Sequence, residues 1–430
     1  MKKFLAFLLI LPLLTFCDAP IAPEPEAPDT EQPTEKPEEK PEETPDQTPE
    51  EKPEEKPEEK PEETPEYPED LAAEIKSGDL VLVTNEAVQK FLTDVSYPER
   101  DYTYSDMKEW AEANGVQISP GKKNAGATDT PPTYTLRWKA DAEAGEIYAK
   151  LSEPEWSREW TLEAGKNYLE ITNLCPNTHY TYVVKAGDKV LTEGEFDTYG
   201  KVRQVRYHNV RNCRDLGGWE TTDGKRVRYR MVYRSGRICD PYLGTVEGIE
   251  AFKADGIRGQ LDLRGDDGLM TKDESPLADF YAMDEFEFLG PGLSGANEIR
   301  SNPEKAKLCY QFIIDCVLAG KPVVFHCSLG RDRTGNIACA ILGLLGVNEG
   351  IISQEYELTQ FAPSGYATSN GESAKMYRNV DYKYAANFIW DKYVGEGESF
   401  ADGVEKYFLE IGISQADIDA FREAMIVDAN

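Results

Sequence analysis

Cys327 and Arg333 are the two residues of this 430-residue chain whose types and spacing could do chemistry together. A thiol placed where a strand turns directly into a helix faces the positive end of the helix dipole and several unpaired backbone N–H groups. That field lowers a thiol pKa from about 8.5 towards or below neutrality, which makes a thiolate nucleophile at working pH. Arg333, six positions later, can fold back and offer two parallel donors to phosphate oxygens, a geometry that lysine cannot copy. Thr334 adds a hydroxyl near the sulfur, able to stabilise the thiolate when it leaves. The space between these groups suits a tetrahedral dianion.

The elements that must hold them flank the stretch directly. Lys321-Pro322-Val323-Val324-Phe325-His326 reads as a buried strand, and Thr334 to Leu345 as a helix apolar on nearly every side. Between them lies Cys327-Ser328-Leu329-Gly330-Arg331-Asp332-Arg333. A buried structural cysteine at a strand end would not require Arg333, Thr334, Gly330 and Gly335 at these offsets.

The stretch His326 to Gly335 resembles the phosphate loop of the protein tyrosine phosphatase superfamily, His-Cys-x5-Arg-Ser/Thr, and most closely a bacterial branch whose loop reads His-Cys-x-x-Gly-Lys-Asp-Arg-Thr-Gly. Arg331 stands where that branch has lysine. Asn212-Cys213-Arg214-Asp215-Leu216-Gly217-Gly218, Val232-Tyr233-Arg234-Ser235-Gly236 and Gln260-Leu261-Asp262-Leu263-Arg264 resemble three further segments of the branch, and Tyr407 to Ser414 with Ala416 to Met425 resemble its last helices. The resemblance runs from about 205 to 428 and is loosest over 350–393. It implies that the Cys327 thiolate attacks phosphorus in line to give a cysteinyl-phosphate, while Arg333 and the loop amides bind the equatorial oxygens. Ser328, Leu329, Gly330, Arg331, Thr334 and Gly335 would then bind substrate, with Arg214 and Arg264 beside them. Asp332 is the general acid that the branch implies; Asp266 and Asp267 are the alternative, and an ion pair of Asp332 with Arg214 or Arg264 is the competing structural role. Arg234 could reach substrate or position the loop, and His326 reads as an orienting hydrogen-bond donor. No cofactor or metal is needed, and three histidines (His179, His208, His326) are too few for a multi-histidine centre.

The formal charge of −32 disfavours a nucleic-acid partner bound over a broad basic face. That charge is unevenly spread. Residues 18–70 hold 22 acids, five lysines and 14 prolines in Lys-Pro-Glu-Glu repeats, a composition that stays extended and disordered and reads as a stalk. Residues 201–240 run the other way, with 11 Lys and Arg against four acids. Ahead of the stalk, Lys2 and Lys3 precede a 13-residue apolar run, Phe4 to Phe16, too short to span a bilayer. With Cys17 it resembles a bacterial lipoprotein signal, which implies an exported, membrane-anchored lipoprotein on the periplasmic or cell-surface side.

Five parts follow: a signal at 1–17, the stalk at 18–70, a partly helical segment at 71–128 with helices at Asn85 to Leu92 and Asp106 to Ala113, strand alternation over 129–200, and the phosphatase-like domain at 201–430. Leu174-Cys175-Pro176-Asn177-Thr178-His179-Tyr180 resembles the tyrosine corner of a fibronectin type III domain, here read as spacer or scaffold. The expected fold class is multidomain: a small all-β sandwich preceding an α/β phosphatase domain whose central sheet is flanked by helices. Cys175, Cys213, Cys239, Cys309, Cys316 and Cys339 read mostly as core thiols, with a Cys213–Cys239 bridge permitted by export. The function expected is that of a cysteine-dependent phosphatase acting on protein phosphotyrosine or phosphoserine. Phosphoinositides or inositol phosphates are the alternative substrates, and a surface binding protein or pseudophosphatase is the reading of another class.

Overall fold

The computed structural model describes residues 67–94, 110–116, 130–141, 145–207, 210–238, 251–265, 271–272, 275, 277–278, 285–362 and 380–429. The chain divides into two units, 1–62 and 63–430. The first lies wholly outside the described residues, as do Cys17, Cys239, His208, Asp266 and Asp267.

The strand alternation read from sequence forms two sheets. β1 (Ala73–Glu74), β3 (Tyr134–Arg137) and β6 (Tyr168–Ile171) make one, in the order β1-β3-β6. β2 (Leu80–Leu82), β8 (Lys189–Tyr199), β7 (His179–Ala186), β4 (Ile147–Glu153) and β5 (Trp156–Leu162) make the other, in that order. Along β4, Ile147, Ala149 and Leu151 point inward and meet Leu136, Trp138 and Ile171 of the smaller sheet in one core, the period of two that a half-buried strand requires. The Tyr180 hydroxyl accepts from the Cys175 backbone N at 2.8 Å.

The segment 71–128 is not a separate piece. β1 pairs in parallel with β3, and β2 in parallel with β8, so its first strands complete the two sheets. Its helix α1 (Glu86–Leu92), capped by the Asn85 side chain as expected, instead turns Val88, Phe91 and Leu92 into the core of the phosphatase-like part. Strands of two and three residues carry too little alternation to be seen in sequence. Of the second expected helix, residues 110–114 are described and helical.

The α/β part is built on β9 (Arg214–Asp215), β11 (Val232–Ser235), β12 (Gly259–Asp262), β13 (Glu287–Leu289) and β14 (Val323–His326), in the order β13-β12-β14-β11-β9, while β10 (Lys225–Val227) pairs with β15 (Ile426–Asp428) in a separate ribbon. Within the β13-to-β9 sheet all pairs are parallel except β9 with β11. β14 is central and buried at every residue, with Val323 and Phe325 on one face and Val324 on the other, which explains its unbroken apolar run. Helices α2 (Asn297–Ser301), α3 (Pro303–Leu318), α4 (Asp332–Leu344), α5 (Glu349–Glu357), α6 (Val380–Tyr393), α7 (Phe400–Glu410) and α8 (Gln415–Met425) follow. α4 is buried at every position from Thr334 to Leu344 because it packs against β14, α3, α6 and α7, so its all-round apolar pattern matches its place.

Cys175, Cys309, Cys316, Cys327 and Cys339 are free and buried, and Cys213 is buried too; Cys239, the other half of the permitted bridge, lies outside the described residues. Burial pushes the Cys175 thiol up to about 11 and those of Cys309 and Cys316 up to about 12, which keeps all three protonated. Among the described residues no helix is long and apolar enough to cross a membrane.

Candidate active site

β14 ends at His326 and α4 begins at Asp332, leaving residues 327–331 as a single tight loop with buried Cys327 at its start. Three consecutive carbonyls of that loop are held from behind. The Arg237 backbone N donates to Ser328 O at 3.2 Å. Asn212 Nδ2 donates to Leu329 O at 3.0 Å and to Gly330 O at 2.9 Å, and Arg234 Nη2 donates to Gly330 O at 2.6 Å. A trans peptide points its N–H opposite to its C=O, so the N–H groups of Leu329, Gly330 and Arg331 all face the other side. That is a ready anion cradle.

Gly330 is required twice over. Its φ of 68° is left-handed, and a Cβ there would overlap the Ser235 carbonyl. Gly335 is required by packing, since a Cβ would strike the Tyr356 ring.

The N-terminus of α4 adds to the cradle. Asn85, Asn302, Asn348, Ser399 and Ser414 each cap their helices with a side-chain oxygen, whereas α4 has no side-chain cap at Arg331. Its first N–H groups and dipole are thus left for a ligand. Arg333 is tied down by Nη1, which donates to Leu293 O at 2.8 Å and Leu263 O at 3.5 Å. Its Nε and Nη2 make no hydrogen bond to the described residues, and that edge is the one that binds an oxyanion in bidentate fashion. The Thr334 hydroxyl is buried and makes no hydrogen bond to the described residues.

The remaining charges have structural partners. Arg214 donates from Nε to Glu355 Oε1 at 2.7 Å, from Nη2 to Glu355 O at 2.8 Å and from Nη1 to Asn212 Oδ1. Arg234 Nη1 donates to Glu355 Oε2 at 2.6 Å. Burial and then the neighbouring Arg234 pull the Arg214 guanidinium down to about 10, still charged at neutrality. Arg214 and Arg234 therefore support the loop from behind. Arg264 is chelated by Asp262, with Nε 2.9 Å and Nη2 2.6 Å from its oxygens. Asp332 pairs with neither Arg214 nor Arg264, the two partners sequence suggested; it lies 2.9 Å from Arg331 Nε, half-exposed at the start of α4.

His326 is buried, and desolvation, outweighing the nearby Asp262, holds its pKa down at about 4, so the ring is neutral at ordinary pH. Gln260 accepts from Ser275 with Oε1, which turns its Nε2 donor to His326 Nε2 at 3.0 Å. The ring proton then sits on Nδ1, 3.4 Å from Cys327 O. Burial and the Gln260 donor both favour a neutral ring whose Nδ1 faces the Cys327 carbonyl.

A sequence model of the tyrosine phosphatase family matches residues 205–427. The chain belongs to that family. A Cupriavidus necator protein provisionally named a tyrosine-protein phosphatase is 27% identical over 174 residues, 35% of this chain and 61% of the relative, so the chain spans about three-fifths of the length of that relative. Among solved structures, the core catalytic domain of the PP-IP phosphatase SIW14 from S. cerevisiae is 17% identical, covering 37% of this chain and 90% of its own, with a TM-score of 0.24. TpbA of P. aeruginosa is 12% identical, covering 45% and 96%, with a TM-score of 0.25.

Within this family member, the loop residues anticipated from sequence come together at the end of β14. Two participants went unassigned: Asn212, seen only as part of a motif, and Glu355, whose carboxylate joins Arg214 to Arg234 across more than 120 residues of sequence. Glu355 shares its helix with Glu349 and Glu357, so residue type did not single it out.

Proposed function

We propose that this protein is a cysteine-dependent phosphatase that hydrolyses phosphomonoesters through a cysteinyl-phosphate on Cys327. The observation that carries the reading is the loop that follows Cys327: three carbonyls tied back, a helix N-terminus without a side-chain cap, and an Arg333 whose Nε and Nη2 make no hydrogen bond to the described residues. Cys327 attacks phosphorus in line, Arg333 and the loop N–H groups bind the charge on the equatorial oxygens, and Asp332 protonates the leaving oxygen. In the second step water attacks the cysteinyl-phosphate and the thiolate leaves, with Thr334 as the nearby hydroxyl donor. Arg214, Arg234, Asn212 and Glu355 are positioning residues.

Phosphotyrosine and phosphoserine in proteins are the substrates proposed. Arg331 is buried and paired with Asp332, which leaves less charge for a polyphosphorylated ring than the sequence alone suggests. A phosphate-release panel across phosphopeptides, phosphoinositides and inositol phosphates, with Cys327→Ser as blank, tests both points. Release by the variant equal to that of the natural chain would sink the mechanism, and preferential release from inositol phosphates would move the substrate.

The two-sheet part is proposed as a fibronectin type III-like domain, supported by the Tyr180-to-Cys175 corner bond. The signal-like residues 2–17 support an exported chain anchored in a bacterial membrane through a diacylated Cys17. Mass spectrometry of the mature N-terminus should find lipid on Cys17; an unlipidated start would refute the anchor.

A further inference from the structure

The strands that hold the phosphate loop also hold the two-sheet part. β9 and β11 pair with Arg214 opposite Arg234 and Asp215 opposite Tyr233, and successive strand residues face opposite ways. Arg214 and Arg234 turn to Glu355 and the loop. Asp215 and Tyr233 turn the other way, into a buried ionic network shared between the two parts of the molecule. There Arg203 donates to Asp215 Oδ2 at 3.1 Å, the Tyr233 hydroxyl at 2.9 Å and Asp255 Oδ1 at 2.6 Å, and its Nε donates to Asn173 O, in the two-sheet part, at 3.0 Å.

Arg230 closes this network. Its backbone N donates to Asp215 Oδ2 at 2.7 Å, its Nη1 to Asp255 Oδ1 at 2.8 Å, and its Nε reaches β4 to donate to Glu153 Oε1 at 2.6 Å. Nη2 donates to the Tyr180 hydroxyl at 3.4 Å, and the guanidinium lies 3.9 Å from the Trp156 ring centroid. The corner tyrosine therefore serves the interface as well as its own turn. Arg230 holds a φ of 66°, a left-handed conformation costly for a side-chain-bearing residue and kept only where its surroundings over-determine it. A spacer domain needs no such residue.

We propose that the two-sheet part is a fixed component of the catalytic unit and that Arg230 is a positioning residue. By locking Asp215 and the strand pair from behind, it keeps Arg214 and Arg234 aimed at Glu355 and the loop carbonyls. The proposal rests on the phosphatase reading for its kinetic arm, but loop geometry can also be read without turnover, from the pH dependence of Cys327 alkylation.

Arg230→Gly in the full chain removes the side chain while suiting the left-handed backbone, and Glu153→Gln removes only the charge on the two-sheet side. For Arg230→Gly, kcat per alkylatable Cys327 should fall on the order of tenfold with KM little changed, less than the loss a 1 Å misplacement brings. The alkylation profile should shift to higher pH as the loop N–H groups lose alignment, and Glu153→Gln should show both effects in weaker form. If Arg230→Gly does not fold, Glu153→Gln alone decides. A lower melting temperature with unchanged kcat per site and an unchanged alkylation profile would make the network structural glue and overturn the proposal. Absence of turnover in the natural chain would defeat the phosphatase reading, while the alkylation profile would still decide this one.

Discussion

On the loop side of the β9–β11 pair, two buried arginines, Arg214 and Arg234, share one carboxylate, Glu355. On the other side, Arg203 and Arg230 meet three, Asp215, Asp255 and Glu153. Both clusters are buried, but their balances have opposite signs: the interface sets three carboxylates against two guanidiniums, whereas the loop side sets one against two and, among the described residues, leaves Arg333 Nε and Nη2 and the α4 N-terminus without a hydrogen-bonding side-chain partner. Burying an unmatched cation is expensive, so the cationic surplus beside open donors on the loop side points to an anionic ligand there. The same residue types thus make a closed internal network on one face and a receptor on the other, and the difference lies in whether the donors are consumed.

Substitutions on the two faces should separate these roles. Asp255→Ala removes the carboxylate that Arg203 and Arg230 share, leaving Asp215 and Glu153 to them, and should cost about 3 kcal/mol of unfolding free energy, read by denaturant titration. A loss below about 1 kcal/mol would mean that water relieves the network. Arg333→Ala should do the reverse: kcat/KM falls about 10²–10³-fold, while the melting temperature moves by only a few degrees because, among the described residues, Nη1 alone hydrogen-bonds to protein. If stability falls as far as activity, the arginine belongs with the interface class. Asp332→Asn should lower kcat by about 10²-fold and remove the basic limb of the pH–rate profile. Retention of that limb would shift the acid to another carboxyl and leave Asp332 as the partner of Arg331.

The receptor face was far more legible in the sequence than the interface network. Cys327, Gly330, Arg333 and Thr334 lie within eight residues, so their offsets alone constrain a strand–loop–helix turn. The same holds for the burial of β14 and α4, whose composition states it directly. Glu355 and Arg203 could not be assigned, because a buried acid or arginine shows only its type in sequence, while its partner is chosen by tertiary packing. The edge strands β1 and β2 were missed for a related reason: at two and three residues they borrow their conformation from β3 and β8. Glu153, Tyr180 and Trp156 of the two-sheet part pack around Arg230, contacts between residues far apart in sequence that no local pattern records.

The smallest expected effect lies where the receptor face meets its core, at His326. Asp262, Arg264, Gln260 and Arg237 surround the ring, and burial holds its folded pKa at about 4 against about 6.5 when unfolded. Above pH 6.5 neither state takes the proton. As pH falls below 6.5 the unfolded chain binds it first, so stability drops until the folded ring is also protonated near pH 4. Between pH 6.5 and 5 the loss should be about 1.5 kcal/mol, a window above the range in which unfolded carboxylates titrate. His326→Gln, which retains a hydrogen-bonding side chain without the titration, should flatten that window in denaturant titrations run at several pH values. If the natural chain shows no slope there, or the variant keeps the same slope, the imidazole is not held neutral, and the proton assigned to Nδ1 beside the Cys327 carbonyl is misplaced.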